Sequence, residues 1–312
     1  MKVKKTIVMM AALAAVAGLA SCTKDDAANG SGNKEVCFTG GIGNVAVATS
    51  QSRAAGAEWE KKDHIGIYMV KPVSTTILEG IENKDYVTND GDGTFTPADG
   101  NPIYYPVSGK VEFIAYYPYK KGYQIDTPII YTIDDEQTTE TQATFDLMWA
   151  RAHNNDVGYD KNYMGDIALS FNHLLSKLTM NCKIDASVGT VWPDDATVTL
   201  KGTNREVVLN LTRGTLSDKR NPGNITPRKL SSAPDGFLAA YDAIVMPESY
   251  DTGTVTVDFT VGGKTYTWKV GTVTFEPGKD HVYEVTLTRS GVRTTGKITD
   301  WDLKDCGGVE AD

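Results

Sequence analysis

The sequence predicts an all-β fold. Apolar residues recur almost everywhere with a period of two, which places alternate side chains on one face of a strand, and very little of the chain has the period of 3.6 typical of helices. Tyrosine, threonine and valine, which favour extended backbone, dominate these stretches. Turn-forming clusters separate them at a spacing typical of β-sandwiches, at residues 89–93, 106–110, 218–223 and 234–236.

The first twenty-one residues are predicted to be a signal peptide and not part of the fold. Three lysines precede an apolar stretch, residues 7–17, that is too short to span a bilayer. Residues 19–22 (L-A-S-C) match a bacterial lipobox, in which small residues admit the signal peptidase and the cysteine thiol receives the lipid. A chance cysteine after an ordinary signal peptide is the alternative. We therefore expect Cys22 to be lipidated and the mature protein to be anchored without a transmembrane span.

Length, net charge and cysteine spacing limit the domain organisation and the classes of partner. About 290 residues follow the signal peptide, enough for two domains. The formal net charge is −9, and loss of the three signal-peptide lysines makes it −12. A dispersed acidic balance argues against nucleic acid or an anionic membrane surface as partner. The cysteines Cys37, Cys182 and Cys306 lack metal-like spacing, and we expect no disulfide, with Cys37 and Cys182 as small strand residues.

Several strands are predicted from local pattern alone. Pro118 ends one near-continuous apolar strand, and Gly262-Gly263 joins two alternating stretches into a tight hairpin. The main strand candidates are residues 35–41, 65–70, 111–117, 255–261, 265–270 and 283–287.

A change of phase indicates where a second domain begins. Apolar residues occupy odd positions over 169–175 and even positions over 178–184. Such a change near Ser176 predicts a bulge or bend, as when a strand passes from one sheet to another. Because a polar stretch, residues 152–166, precedes this strand, we predict a boundary near 165 and domains at 54–165 and 166–312.

Catalytic, cofactor and metal sites are not predicted. None of the four histidines has ligand spacing, and nucleophile motifs are missing from the sequence. His173, among apolar neighbours, is expected to be a hydrogen-bonded packing residue. The segment 89–93 (N-D-G-D-G) offers oxygen ligands for calcium but lacks EF-hand spacing, so a hairpin tip is favoured. Asp134-Asp135 and Asp194-Asp195 are interpreted as loop charges.

A group of tyrosines admits two readings. They are suited to stacking on sugar rings, but their alternation and the flanking prolines favour packing in the core and at sheet edges. The tyrosines are Tyr104, Tyr105, Tyr116, Tyr117, Tyr119 and Tyr123.

One arginine stands in a segment suited to proteolysis. Arg53 lies between the first two strand candidates, in a run of small and polar residues without bulky apolar anchors. If the first strand pairs with the body of the protein, a cut here would free it and leave a groove. The alternative is an ordinary arginine in a surface loop.

Motifs spread along the chain resemble the fimbrillin family of lipoproteins, in particular the Mfa-like fimbrillins that build type V pili in Bacteroidales. Each motif is weak alone, but they occur in the same order over nearly the whole chain. They are the lipobox, V-C-F-T-G-G at 36–41, 52–68, G-T-F-T-P-A at 93–98, I-Y-Y-P at 103–106, 111–119, D-L-M-W-A at 146–150, 169–178, 275–287 and G-K-I-T-D-W at 296–301.

The resemblance implies two tandem transthyretin-like β-sandwich domains and a structural, non-enzymatic pilus subunit with a role in adhesion. It implies that residues 22–53 form a lipidated tether and first strand, which an arginine-specific surface protease removes by cutting after Arg53, so that the mature chain starts at Ala54. The expected partners are other pilus subunits, the outer membrane before processing, and host glycans or proteins as adhesion ligands. The Lys24-Asp25-Asp26 cluster resembles an export tag for the cell surface, with a plain polar tether as the alternative.

Assembly in that family proceeds by strand exchange, in which a C-terminal segment fills the groove left in the next subunit. A donor here is expected within 292–303, and the groove is expected to include Leu174, Leu178 and Met180. If 296–301 instead completes its own sheet, the subunit accepts a strand without donating one, as a tip or accessory subunit would, or acts as an anchor if it stays uncleaved. A different class of function is a surface lipoprotein that binds glycans through exposed aromatic residues such as Trp192 and does not polymerise. Hydrolase activity is the weakest reading.

Overall fold

A computed structural model describes residues 34–43 and 58–301, and its regular structure is almost entirely β-strand, which confirms the predicted all-β class. The N-terminal elements are β1 (Phe38–Ile42), β2 (Asp63–Val70), β3 (Lys84–Thr88), β4 (Thr94–Pro97), β5 (Glu112–Tyr117), β6 (Ile129–Thr132), α1 (Thr139–Gln142), β7 (Met148–Ala152) and β8 (Ile167–His173). The C-terminal elements are β9 (Ser176–Ile184), β10 (Thr197–Asn210), β11 (Thr215–Ile225), β12 (Arg228–Lys229), β13 (Ala239–Val245), β14 (Ser249–Tyr250), β15 (Thr256–Val261), β16 (Lys264–Lys269), β17 (Val273–Thr274), β18 (Lys279–Thr288) and β19 (Gly291–Asp300). Within these described ranges, no helix is long and apolar enough to span a bilayer.

Seven of the N-terminal strands close into a barrel in the order β1-β4-β3-β2-β5-β7-β8, and β8 returns to pair with β1. The near-continuous apolar strand β5 is buried on both faces. Phe113 and Ala115 face the barrel interior, whereas Ile114 and Tyr116 pack outward against the core of the C-terminal part. A strand covered on both sides favours apolar residues at successive positions, which explains the lack of alternation over 113–117; the exception in β5 is Glu112, whose buried carboxylate pairs with Arg151.

Two sheets face each other in the C-terminal part. One has the order β11-β10-β15-β16, with β6 also pairing with β10, and the other has the order β12-β13-β9-β18-β19. Trp268 of one sheet packs edge-on against Tyr283 of the other, with ring centroids 4.7 Å apart. The predicted hairpin between β15 and β16 is confirmed, and Gly262 and Gly263 both have positive φ, as its tight turn requires.

The predicted change of sheet near Ser176 is confirmed. β8 belongs to the barrel and ends at His173, and β9 belongs to the sandwich and begins at Ser176. The predicted boundary at 165 would assign β8 to the second domain. In the structure, β8 pairs with β7 and β1 and completes the barrel. The polar stretch before β8 is therefore a loop between β7 and β8. The sheet order therefore places the change at 174–175. β6 belongs to the N-terminal part of the chain but pairs with β10 of a C-terminal sheet, and the division into two tandem domains stays a prediction.

Candidate strand-acceptor groove

The segment 34–43 lies in a groove whose walls hydrogen-bond to it on both sides. β1 runs parallel to β8, from Phe38 opposite Ile167 to Ile42 opposite Phe171, and antiparallel to β4, with Phe38 opposite Phe95. Backbone hydrogen bonds extend this pairing beyond the strand ladders. They run from Tyr105 N to Lys34 O (2.9 Å), Val36 N to Ile103 O (2.8 Å), Ile167 N to Cys37 O (2.8 Å), Gly40 N to Gly93 O (2.8 Å) and Gly43 N to Phe171 O (2.7 Å).

Alternate residues of this segment enter the barrel core. Val36 and Phe38 are 1% exposed and Ile42 is 5% exposed. Phe38 is the largest of these anchors, and its ring meets Tyr86 and Phe113 edge-on, with centroids 5.2 and 5.0 Å apart. The period of two therefore sorts the segment into inward anchors and outward residues such as Cys37 and Thr39.

The fourth inward position is a glycine because aromatic rings occupy the space of its side chain. A Cβ atom built on Gly40 would lie 2.7 Å from Cε2 of Phe95 and 3.3 Å from Cε2 of Phe171. Trp59 closes the site, since its Nε1 donates a hydrogen bond of 2.8 Å to Gly40 O and its ring lies edge-on to both phenylalanines at 5.1 Å. The groove thus has three apolar pockets and one position that admits only glycine.

The groove wall is neutral as well as aromatic. Burial raises the pKa of Tyr86, so its phenol stays protonated, and its oxygen accepts a hydrogen bond of 2.8 Å from Ile103 N. Tyr117, which lies against Trp59, likewise has a pKa raised by burial, and its hydroxyl donates to Asp63 at 2.9 Å. Such a surface suits an apolar extended segment of polypeptide.

Removal of residues 34–43 would open the barrel. β4 and β8 would become edge strands with unpaired N–H and C=O groups, beside empty pockets lined by Tyr86, Phe113 and Phe95. Exposed edges of this kind bind another strand by β-augmentation.

Three residues expected in the groove lie elsewhere, and this prediction is wrong. Leu178 and Met180 are fully buried in the core of the sandwich, and Leu174 packs against that same core. The physical reason is the change of sheet before β9, which carries the strand away from the barrel. Sequence reasoning missed Trp59 and Phe95, although Gly40 among alternating apolar residues was a signal that a ring lies close by.

The predicted processing residues lie outside the described part of the chain. Cys22 precedes residue 34, and Arg53 and Ala54 fall in the interval between Gly43 and Glu58. This interval connects the strand in the groove to the segment that carries Trp59.

Packing roles account for other candidate residues. His173 is confirmed as a packing residue, since its Nδ1 lies 2.8 Å from Asp146 Oδ1 and its ring stacks on Trp301 with centroids 4.3 Å apart. The expectation that Trp192 is exposed is wrong, because it is 7% exposed and its Nε1 donates to Tyr241 Oη at 3.0 Å. Among the tyrosines, Tyr105, Tyr116 and Tyr117 are buried, and Tyr123 stacks on Tyr116.

The segment 89–93 is a hairpin tip between β3 and β4, as predicted. Asp92 Oδ1 accepts a hydrogen bond of 2.9 Å from Thr94 N, and Asn89 Oδ1 accepts one of 2.5 Å from Lys62 Nζ. Side-chain oxygens therefore stabilise the turn. In the part of the chain that the structure describes, no cluster of three potential metal ligands occurs.

Comparison with known proteins finds relatives over most of the chain. A model of the fimbrillin-like family matches residues 52–301. A Bacteroides uniformis protein provisionally described as fimbrium subunit Fim1C is 31% identical over 267 residues, covering 82% of this chain and 83% of that protein. The resemblance drawn from the sequence motifs is thereby confirmed.

Solved structures with the same fold also match this chain. A crystal structure from Bacteroides uniformis, provisionally described as a cell adhesion protein, has a TM-score of 0.65 and 25% identity and covers 86% of this chain and 98% of that one. Another, from Bacteroides ovatus and with the same description, shares the fold with a TM-score of 0.68 and 23% identity, covering 88% and 99%. These matches are to structural, adhesion-type proteins, which supports the prediction of a non-enzymatic protein.

Proposed function

The chain belongs to the fimbrillin-like family, and we propose that it is a pilus subunit that assembles by accepting a β-strand in place of its own first strand. The observation that carries this proposal is the barrel closed by residues 34–43, a separable segment with apolar anchors at Val36, Phe38 and Ile42. A foreign strand with the same alternation would satisfy the same backbone groups and fill the same pockets.

Processing comes before assembly in this proposal. The precursor is a lipoprotein held at the outer membrane through Cys22 and exported to the cell surface. An arginine-specific surface protease cuts after Arg53 and leaves a chain that starts at Ala54. The cut separates β1 from Trp59, so that the strand is then held only by non-covalent contacts.

Replacement of one strand by another is favourable when the incoming strand is attached to a large partner. After the cut, β1 stays with its lipidated tether at the outer membrane and is no longer linked to the barrel, whereas a donor belonging to a neighbouring subunit brings further contacts. The partners are therefore other subunits of the same pilus, and the mature protein is part of an extracellular fimbrium with a role in adhesion, as the descriptions of its relatives as fimbrium and cell adhesion proteins suggest.

The experiment compares the native chain with Arg53→Gln, both recovered from the surface of the native cells. We expect the native protein to start at Ala54 without lipid and to form a ladder of detergent-resistant oligomers when samples are not boiled. Arg53→Gln should keep lipidated Cys22 and run as a monomer. The matched control is Arg213→Gln at an exposed arginine of the sandwich, which should behave as the native chain does. A native chain that keeps Cys22, or a processed chain that yields monomer alone, would overturn the proposal.

A further inference from the structure

The outer face of one sandwich sheet forms the floor of a cleft of about 700 Å³. The floor belongs to β9, β18 and β19, and the segment 230–237, which connects β12 to β13, forms the wall. This volume lies within the range of about 300–1,000 Å³ that is typical of sites for small molecules. Because the cleft lies on the sandwich, it is separate from the groove that β1 fills in the barrel.

Hydrogen-bonding side chains surround an apolar centre on this floor. The register across the three strands places Asn181, Glu284 and Thr295 in one row. Val282 is at the centre of the next row, with Thr179 beside it on β9. Outward side chains recur at every second residue of a strand, so both rows face the same side of the sheet. Amide, carboxylate and hydroxyl groups together offer donors and acceptors around an apolar contact surface.

One carboxylate in the cleft has an oxygen without a hydrogen-bond partner. Asp280 is 9% exposed, and its Oδ2 accepts a hydrogen bond of 2.9 Å from Thr179 Oγ1 and lies 3.4 Å from Lys177 Nζ. Its Oδ1 is buried and has no hydrogen-bond partner among the residues that the structure describes. Because an unpaired buried acceptor costs free energy, a ligand hydroxyl that donates to this carboxylate would be favoured.

The charges in and around the cleft nearly balance. Asp280 pairs with Lys177, and Glu284 Oε2 lies 3.7 Å from Lys183 Nζ. Lys297 of β19 adds a cation to the lining. With each acid beside a lysine, the cleft favours neither a polyanion nor a multivalent cation.

The wall of the cleft adds apolar surface. It includes Leu230, Pro234 and Phe237, and Lys183 Nζ lies 4.9 Å from the centroid of the Phe237 ring. Lys183 thus connects this wall to Glu284 on the floor. The cleft therefore combines apolar side chains with a few polar groups that converge on the same space, as small-molecule sites do.

We propose that this cleft binds a neutral oligosaccharide. A sugar ring carries hydroxyl groups at its rim and apolar C–H groups on its faces. The hydroxyl groups match Asn181, Asp280 and Glu284, and the C–H faces match Val282 and Phe237. An uncharged ligand also agrees with the nearly balanced charge. This inference goes beyond the proposed pilus assembly and does not depend on it, because the cleft is complete in a single chain.

The first test is binding of the full chain, purified in detergent, to an array of oligosaccharides. The neutral chains are built from galactose, mannose, fucose and N-acetylglucosamine, with sialylated and sulfated chains for comparison. We expect neutral chains to bind, and calorimetric titration then gives the Kd of the best one. Phe237→Ala removes apolar surface from the wall and Asn181→Ala removes the amide from the floor. Each should weaken the Kd at least about tenfold, which corresponds to about 1.4 kcal/mol.

Matched controls separate the cleft from the rest of the surface. Leu238→Ala changes the neighbour of Phe237, which is 45% exposed and lies outside the cleft lining. Asn162→Ala changes an exposed asparagine in the loop between β7 and β8. Both should keep the native Kd. Urea unfolding midpoints of these variants and of Phe237→Ala and Asn181→Ala show whether each one is folded.

A further variant blocks the cleft without removing a buried contact. Thr295 is exposed on the edge strand β19, so Thr295→Arg should leave the fold intact and fill the space above the floor. We expect it to abolish binding of the neutral chains. Thr265→Arg, at an exposed threonine on the edge strand β16 of the other sheet, should bind as the native chain does.

The outcomes decide the site and the ligand class separately. Binding of a neutral chain that is lost in Phe237→Ala, Asn181→Ala and Thr295→Arg supports the inference. Binding of charged chains alone would overturn the ligand class, and neutral binding that survives all three variants would overturn the site. A chain that binds no oligosaccharide of the array would overturn both. Since a single chain suffices and no oligomer ladder is measured, each of these failures leaves the pilus proposal standing.

Discussion

Replacing Phe38 by alanine should strongly destabilise the closed barrel of the uncut chain. The side chain is 1% exposed and meets Tyr86 and Phe113 edge-on. Phenylalanine-to-alanine changes in cores cost about 3–5 kcal/mol through lost burial and the cavity left behind. Part of this cost is the loss of two aromatic pairs, each of which contributes about 0.5–1.5 kcal/mol beyond its buried area. We therefore expect the free energy of unfolding to fall by about 3–5 kcal/mol.

The assay is urea unfolding of a chain without its first 22 residues, followed by tryptophan fluorescence. Trp59 reports directly on the groove, because its indole donates to Gly40 O. Thr39→Ala is the control at the neighbouring residue, whose side chain faces outward, and it should cost well below 1 kcal/mol, about the range of surface substitutions. The same pair of variants is also compared after a cut at Arg53 and removal of the strand, where Phe38→Ala must have no effect.

Two results would refute this reasoning. If Phe38→Ala and Thr39→Ala cost the same, β1 does not anchor the barrel through its inward residues. If the cut protein with its strand removed is as stable as the uncut protein, the groove does not depend on an occupant. In that case, nothing would drive a donor into it.

Two further predictions concern a buried charge and acid stability. Arg151→Met should lower the free energy of unfolding by about 3–5 kcal/mol, because it leaves the fully buried carboxylate of Glu112 without its partner at 2.6 Å, and the double variant with Glu112→Gln should recover most of the loss in urea unfolding. Burial lowers the pKa of His281 below its ordinary value of 6.5, so the folded state binds fewer protons than the unfolded state and stability is lost as the pH falls below about 6.5. His281→Leu should flatten this dependence in unfolding midpoints measured from pH 7.5 to 5.5, and a parallel curve would contradict the assignment.

Local features of the fold were predictable from sequence. The apolar run in β5, the paired glycines between β15 and β16 and the change of phase before β9 each follow from a few adjacent residues. The partner of β8 did not follow, because β1 lies far away in the sequence and the pairing rests on backbone hydrogen bonds that any residue can make. A polar stretch before β8 then looked like a linker between domains, although it is a loop within the barrel.

The groove was only partly predictable, because the residues that line it are distant from β1 in the sequence. Alternation over 36–42 shows which residues point inward, but the rings around Gly40 come from three segments that are distant in sequence. For Trp192, the sequence predicted exposure but the residue is buried. Trp192 lies among turn residues, which favoured the prediction of an exposed side chain. A hydrogen bond to Tyr241 and an edge-on contact with Phe259 hold it against the sandwich.

Closure of the barrel also orders the steps of the proposed assembly. While residues 34–43 occupy the groove, β4 and β8 each have a partner, so the described strands of the barrel present no edge at this point to another subunit. In the proposed assembly, a copy that keeps its first strand therefore cannot accept another. The proposed cut after Arg53 would create the acceptor, and the position of Gly40 would then reject strands without a glycine in register. The proposal thus assigns the prevention of premature polymerisation to topology and the prevention of wrong pairing to sterics, and a lipidated chain that polymerised without processing would show that this division of roles is mistaken.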